Sequence, residues 1–180
     1  MTVFDARSHV FIDESKARGY YIAAAAVTEH DVIATEKELR QLVRRGQRRI
    51  HFVRESDSSR RSLLSRMQSL GVSVQLYTAT GLTDRAARKL CLDALVDDLA
   101  SSGATRLCME RDDSVADADR RIVRNALVRN NYLDGLRYEH AAPQERPLLW
   151  VSDAVAWCYQ SGGDWLKRAA PLVRGTRRLT

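Results

Sequence analysis

Apolar and polar positions divide this chain into short extended runs and longer helical stripes. Val10, Phe11 and Ile12 lead into two acids, Asp13 and Glu14, and a second apolar run fills Tyr20–Val27. Only Ser15 to Gly19 separate the two runs, too few for the dozen or more residues that parallel neighbours require. Ser8–Glu14 and Tyr20–Val27 are therefore predicted to form an antiparallel hairpin. Val72–Ala79 alternates Val72, Val74, Leu76 and Thr78 against Ser73, Gln75, Tyr77 and Ala79, the period of a strand. Thr105–Glu110 reads as a short buried strand, and the Asp134-Gly135 turn leads into another at Leu136–His140.

Helical spacing predicts a helix over Asp31–Arg45, carried by Val32, Ile33, Leu39, Leu42 and Val43 and stopped by Gly46. A second runs from Ser58 to Leu70. Thr83 is placed to cap a long helix over Asp84–Ser102, whose Ala87, Leu90, Cys91, Ala94, Leu95 and Leu99 make one apolar stripe before Gly103. Asp117–Asn130 and Leu149 to about Gln160 complete the helices. From about residue 163 the chain is basic, with Lys167, Arg168, Arg174, Arg177 and Arg178, and is expected to be loosely ordered toward its end.

With the helical excursion at about residues 28–71 set aside, the order is β-β-β-α-β-α-β-α. This α/β order, an antiparallel N-terminal hairpin feeding parallel βα units, is that of the ribonuclease H-like mixed sheet; a doubly wound nucleotide-binding sheet would not open with a tight hairpin. Ile50 and Phe52 alternate within Arg49–Val53 and leave open an extra strand inside the excursion. The 180 residues suit a single domain over 1–180.

In that topology the strand ending at Glu110 lies beside the first strand, so Asp13 and Glu110 face each other from neighbouring central strands. Asp153 is the only formal charge in Trp150–Trp157, at the start of the last helix. Two carboxylates about 4 Å apart repel by roughly 4 kcal/mol at an effective dielectric near 20, which favours a bound cation or a shared proton. Hard oxygen donors select Mg²⁺ or Mn²⁺, and such ions serve in-line hydrolysis of a phosphodiester. Asp13, Glu110 and Asp153 are thus the candidate catalytic and metal residues, with Asp112 and Glu14 as competitors. Alternation along a strand keeps Asp13 and Glu14 from pointing the same way. Asp117 and Asp119 are read as acids of a helix's first turn. Singly, each acid also has an ordinary reading: Asp13 closing the hairpin, Asp153 capping its helix with Ser152, Glu110 pairing with a nearby arginine.

Val10-Phe11-Ile12-Asp13-Glu14-Ser15 resembles the opening signature of a bacterial family of uncharacterised proteins, domain of unknown function 3800. Val151-Ser152-Asp153-Ala154-Val155-Ala156 is similar to that family's C-terminal segment, and the resemblance covers roughly residues 8–162. It implies a ribonuclease H-like fold with Asp13 and Asp153 as acidic site residues and Glu110 or Asp112 between them. Lys16-Ala17-Arg18 replaces the family's Gly-rich turn, and Ser152 stands where alanine is common.

The chain has 29 Lys and Arg against 23 Asp and Glu, a net charge of +6 that suits an anionic partner. Between Arg40 and Arg61 stand eight arginines and no lysine. Arginine forks fit phosphate oxygens, so Arg44, Arg45, Arg48 and Arg49, with His51, are the candidate substrate-binding residues. A merely solvated charged face is the alternative. Phosphate-loop, serine-hydrolase and zinc signatures are missing from the sequence. Cys91, Cys108 and Cys158 are dispersed in apolar segments and read as reduced thiols. No stretch is long and apolar enough to span a bilayer, and a cytoplasmic location is expected. These observations predict a metal-dependent nuclease acting on RNA or DNA. The alternative is a non-catalytic nucleic-acid-binding or protein-interaction module on the same fold; the sequence leaves open which.

Overall fold

A computed structural model describes residues 3–180. Its centre is a six-stranded sheet in the order β5-β4-β1-β2-β3-β6. β1 (Ser8–Ser15) and β2 (Tyr20–Thr28) form the expected hairpin, with Asp13 opposite Ala23. β3 (Ser73–Ala79) continues antiparallel to β2, whereas β4 (Arg106–Glu110) runs parallel to β1, and β5 (Arg137–Ala141) runs parallel to β4.

Side-chain alternation on these strands divides the core in two. Phe11, Ala23, Ala25, Val74, Leu76 and Cys108 face one side, where they meet α5 (Leu148–Ser161) and the excursion helices α1 (Val32–Gln41) and α2 (Asp57–Gln68). Val10, Ile12, Ile22, Ala24, Tyr77, Leu107 and Met109 face the other, covered by α3 (Asp84–Ser102) and α4 (Ala116–Arg129). Thr83 caps α3 as predicted, its side chain accepting from the Ala86 N–H. Cys91, Cys108 and Cys158 are free and buried, and burial pushes each thiol up to about 12.

Three expectations are corrected. The first excursion helix ends at Gln41, not Arg45, because Leu42 and Val43 turn in to pack against the core before Gly46 reverses the chain at φ +86°. Arg49–Val53 is no strand: Ile50 and Phe52 are both buried, the latter opening a 3₁₀ turn over Phe52–Arg54. The basic tail is ordered. It forms α6 (Gly163–Ala169) and then β6 (Val173–Arg178), which adds in parallel to the edge of β3. Arg177 Nη1 pairs with Asp98 Oδ1 at 2.7 Å, and the Leu179 N–H donates to the Thr78 carbonyl. Deleting residues 173–180 uncovers the β3 edge. It is expected to lower stability by about 2–4 kcal/mol, taking roughly 1 kcal/mol net for each ladder hydrogen bond lost, as read from a urea midpoint, and to promote association through the bare edge.

Candidate functional site

The parallel pairing of β1 with β4 sets Ile12 opposite Met109. One residue further along each strand come Asp13 and Glu110, so the two carboxylates leave adjacent strands at the same end of the sheet. Phe11 and Cys108, two residues earlier, face α5, and alternation sends Asp13 and Glu110 to that face too. α5 runs across it, fastened to β1 where the buried Ser152 hydroxyl donates to the Phe11 carbonyl at 2.6 Å. The next residue, Asp153, is thereby brought to the same place. It lies in the second turn of α5, too deep to cap the helix.

Asp13, Glu110 and Asp153 line one cavity of about 600 Å³, together with Arg49, His51, Arg88, Glu14 and Asp112. Burial drives the Asp13 carboxyl well above the ordinary aspartate range, and the nearby charges of Asp153 and Glu110 push it the same way. Burial also raises Glu110 and Asp153, opposed by Arg49 for Glu110 and chiefly by the Phe52 N–H for Asp153. The contacts of each acid are few. Asp13 Oδ1 accepts from the Glu14 N–H at 2.7 Å, Asp153 Oδ2 accepts from the Phe52 N–H at 2.9 Å, and Arg49 Nη1 stands 3.8 Å from Glu110 Oε1. Asp153 Oδ1 has no donor among the described residues.

The donor chemistry of these acids, all hard oxygens in a partly desolvated cavity, suits a Mg²⁺- or Mn²⁺-type ion. Among the described residues, however, no three or more His, Cys, Asp or Glu side chains are gathered tightly enough to enclose a metal ion. The cavity thus holds the ligand types in a wider arrangement than a closed coordination shell.

The competing acids line the same cavity but are engaged by other groups. Asp112 is exposed and closes a turn, accepting from the Ser114 N–H and hydroxyl, contacts that hold its carboxyl below the usual range. Glu14 points to the opposite face, as alternation requires, and joins Arg88, Tyr20 and Lys16, the last at 2.8 Å. Arg88 also holds Asp119 through two bonds of 2.7 Å. Asp119 sits in the first turn of α4 as expected, and it is buried there, 1% exposed. The sequence carried a signal for this pair: Asp119 falls in the stripe of Ala116, Val123 and Ala126, and Arg88 in that of Cys91, Leu92 and Leu95.

The candidate substrate residues separate. Arg49 and His51 line the acidic cavity. Arg48 lines a smaller neighbouring one, Arg44 is engaged with Glu55 at 2.7 Å, and Arg45 is exposed outside both. The excursion is anchored by Arg60, which lies 4.2 Å from the Trp157 ring centroid and donates to the Phe52 and Val53 carbonyls.

A mixed sheet that opens with this hairpin, continues through parallel βα units and is covered by helices on both faces defines a ribonuclease H-like fold. Among solved structures, the chain is similar to one in the PCNA:RNase HII complex from Archaeoglobus fulgidus. The TM-score is 0.54 at 13% identity, over 86% of this chain and 72% of that one. No protein-family profile and no curated protein sequence matches the chain, so the resemblance to domain of unknown function 3800 gains no support from them. Among the described residues no helix is long and apolar enough to cross a membrane.

Proposed function

We propose that residues 1–180 form one domain acting as a divalent-metal-dependent nuclease that hydrolyses phosphodiester bonds of RNA or DNA. The observation that carries this reading is the convergence of Asp13, Glu110 and Asp153, from two strands and a helix, on one cavity with an arginine and a histidine in its wall. Carboxylates raised by burial, with repulsion from neighbouring acids added at Asp13 and Glu110, are characteristic of functional clefts. The ribonuclease H-like fold, shared with the RNase HII neighbour, supports it at the level of architecture.

Asp13, Glu110 and Asp153 would hold Mg²⁺ or Mn²⁺, which when bound would activate a water and offset the charge of the phosphate. Arg49, beside Glu110, orients a non-bridging phosphate oxygen through its guanidinium fork. His51, in the same wall, would pass a proton to the leaving oxygen. Asp13 and Glu110, both raised chiefly by burial, must lose their protons before they can act as ligands, so activity should rise with pH from above the ordinary carboxylate range.

The test is hydrolysis of labelled RNA, DNA and hybrid duplexes with and without Mn²⁺, for the wild type and Asp153→Asn. Mn²⁺-dependent cleavage by the wild type, reduced at least about 10²-fold in the variant, is expected. Salt-sensitive binding of the same substrates with no cleavage under any divalent cation would instead establish the binding module. In either case each phosphate contact made by the excursion arginines should add about 0.7–0.9 to the slope of log affinity against log salt.

A further inference from the structure

A second, smaller cavity of about 390 Å³ opens beside the acidic one, lined by Gln47, Arg48, Arg49, His51, Arg54 and Glu55. The two cavities share Arg49 and His51 as a common wall. Its charge is unbalanced. Glu55, the one acid in the lining, is already satisfied by Arg44 Nη2 and the Ser59 hydroxyl, each at 2.7 Å from Oε2. Arg49 reaches an acid only at 3.8 Å, and among the described residues Arg48 and Arg54 take part in no ion pair. Three arginines line one concavity whose one acid is already engaged, an arrangement that favours an anion there.

The local backbone explains why they converge. The reversal at Gly46 separates the outward Arg44 and Arg45 from Arg48 and Arg49, and the 3₁₀ turn that follows His51 carries Arg54 to the same opening. Burial of Ile50 and Phe52 pins the segment between them, so the arginines project from an anchored stretch.

We propose that this cavity is a phosphate-binding subsite that seats one phosphate group of the strand whose neighbouring phosphodiester lies in the acidic cavity. The assignment of that phosphate to a nucleic-acid strand rests on the nuclease reading; the affinity for phosphate does not. Arginine forks with Gln47 as an additional donor match the several acceptor oxygens of a phosphate. The group could be a terminal phosphate or one within the backbone, which the same chemistry would hold.

The pocket is tested with inorganic phosphate titrated into the full chain at constant ionic strength and followed by ¹⁵N NMR. Saturable shifts centred on residues 47–55 are expected, weakened about tenfold or more in Arg48→Gln/Arg54→Gln, two exposed positions whose substitution leaves the core intact, and retained in Asp13→Asn. Absent saturation, or shifts undiminished in the double variant, would overturn the subsite. Cleavage of 5′-phosphorylated and 5′-hydroxyl oligonucleotides then identifies the source. A preference for the phosphorylated end that the double variant loses points to a terminal phosphate, and an equal loss on both substrates points to a backbone phosphate. A double variant that cleaves both as the wild type does would overturn the link to substrate. Phosphate binding without any wild-type cleavage would sink the nuclease proposal and leave the phosphate site standing.

Discussion

Replacing Asp13 with asparagine is expected to abolish cleavage while raising the melting temperature of the metal-free protein at pH 7. The two effects share a cause. An aspartate titrates near 3.8 when unperturbed, whereas burial and the charges of Asp153 and Glu110 hold Asp13 well above that in the folded chain. Above pH 3.8 the folded state therefore retains a proton that the unfolded state has released, and stability falls as pH rises. The stabilising contribution is complete below the unfolded value and is lost as pH passes through the raised folded value. Glu110 and Asp153 shift in the same direction and deepen the decline. Asparagine keeps the size and an acceptor for the Glu14 N–H but carries no charge, so melting curves collected from pH 4 to 7 should flatten.

Cleavage should drop by at least about 10³-fold, since losing several kcal/mol of charge stabilisation costs a factor of ten for every 1.36 kcal/mol. Mn²⁺ should stabilise the wild type by about 2.7 kcal/mol at a hundred times its dissociation constant, and the variant hardly at all. A variant that melts no higher than the wild type at pH 7 and still cleaves would remove Asp13 from the site. A stability gain alone, without any wild-type cleavage, would leave a strained acidic cavity that has no catalytic use.

Much of this geometry was legible in the sequence, for identifiable reasons. The five residues between the first two runs permit only a hairpin, and strand periodicity then fixes which face each side chain takes. Once the strand ending at Glu110 is laid against the first, the meeting of Asp13 and Glu110 follows without further information. Asp153 was visible as a charge in an apolar segment. What local pattern could not show is pairing decided across the fold. β6 reads Val-Arg-Gly-Thr-Arg-Arg, with no alternation to mark it, and becomes a strand because the edge of β3 offers it a ladder. Arg88 and Asp119 each fall in the apolar stripe of their helix, but that they pair is decided only when α3 and α4 are packed together.

That pair carries the largest expected loss of stability. The Arg88 side chain is 13% exposed, and its guanidinium is shared among Asp119, Glu14 and the Tyr20 hydroxyl, the last at 2.9 Å. Arg88→Met keeps the aliphatic volume but leaves Asp119 buried with a charge whose nearest alternative is His140 Nε2, at 3.7 Å and without a hydrogen-bond partner. Stranding one member of a buried ion pair costs about 3–5 kcal/mol, which for a chain of this size corresponds to roughly 6–20 °C in melting temperature. Changing Asp119 to leucine in the same background removes the orphaned charge, and most of the loss should return, because well-packed apolar replacements of buried pairs are often neutral. Glu14 keeps Lys16 and Tyr20 in that double variant, so the end of β1 stays tied. Urea unfolding of the two single variants and the double variant measures the coupling directly. A cost below about 1 kcal/mol for Arg88→Met would mean that the network beside the acidic cavity is held by packing instead of charge.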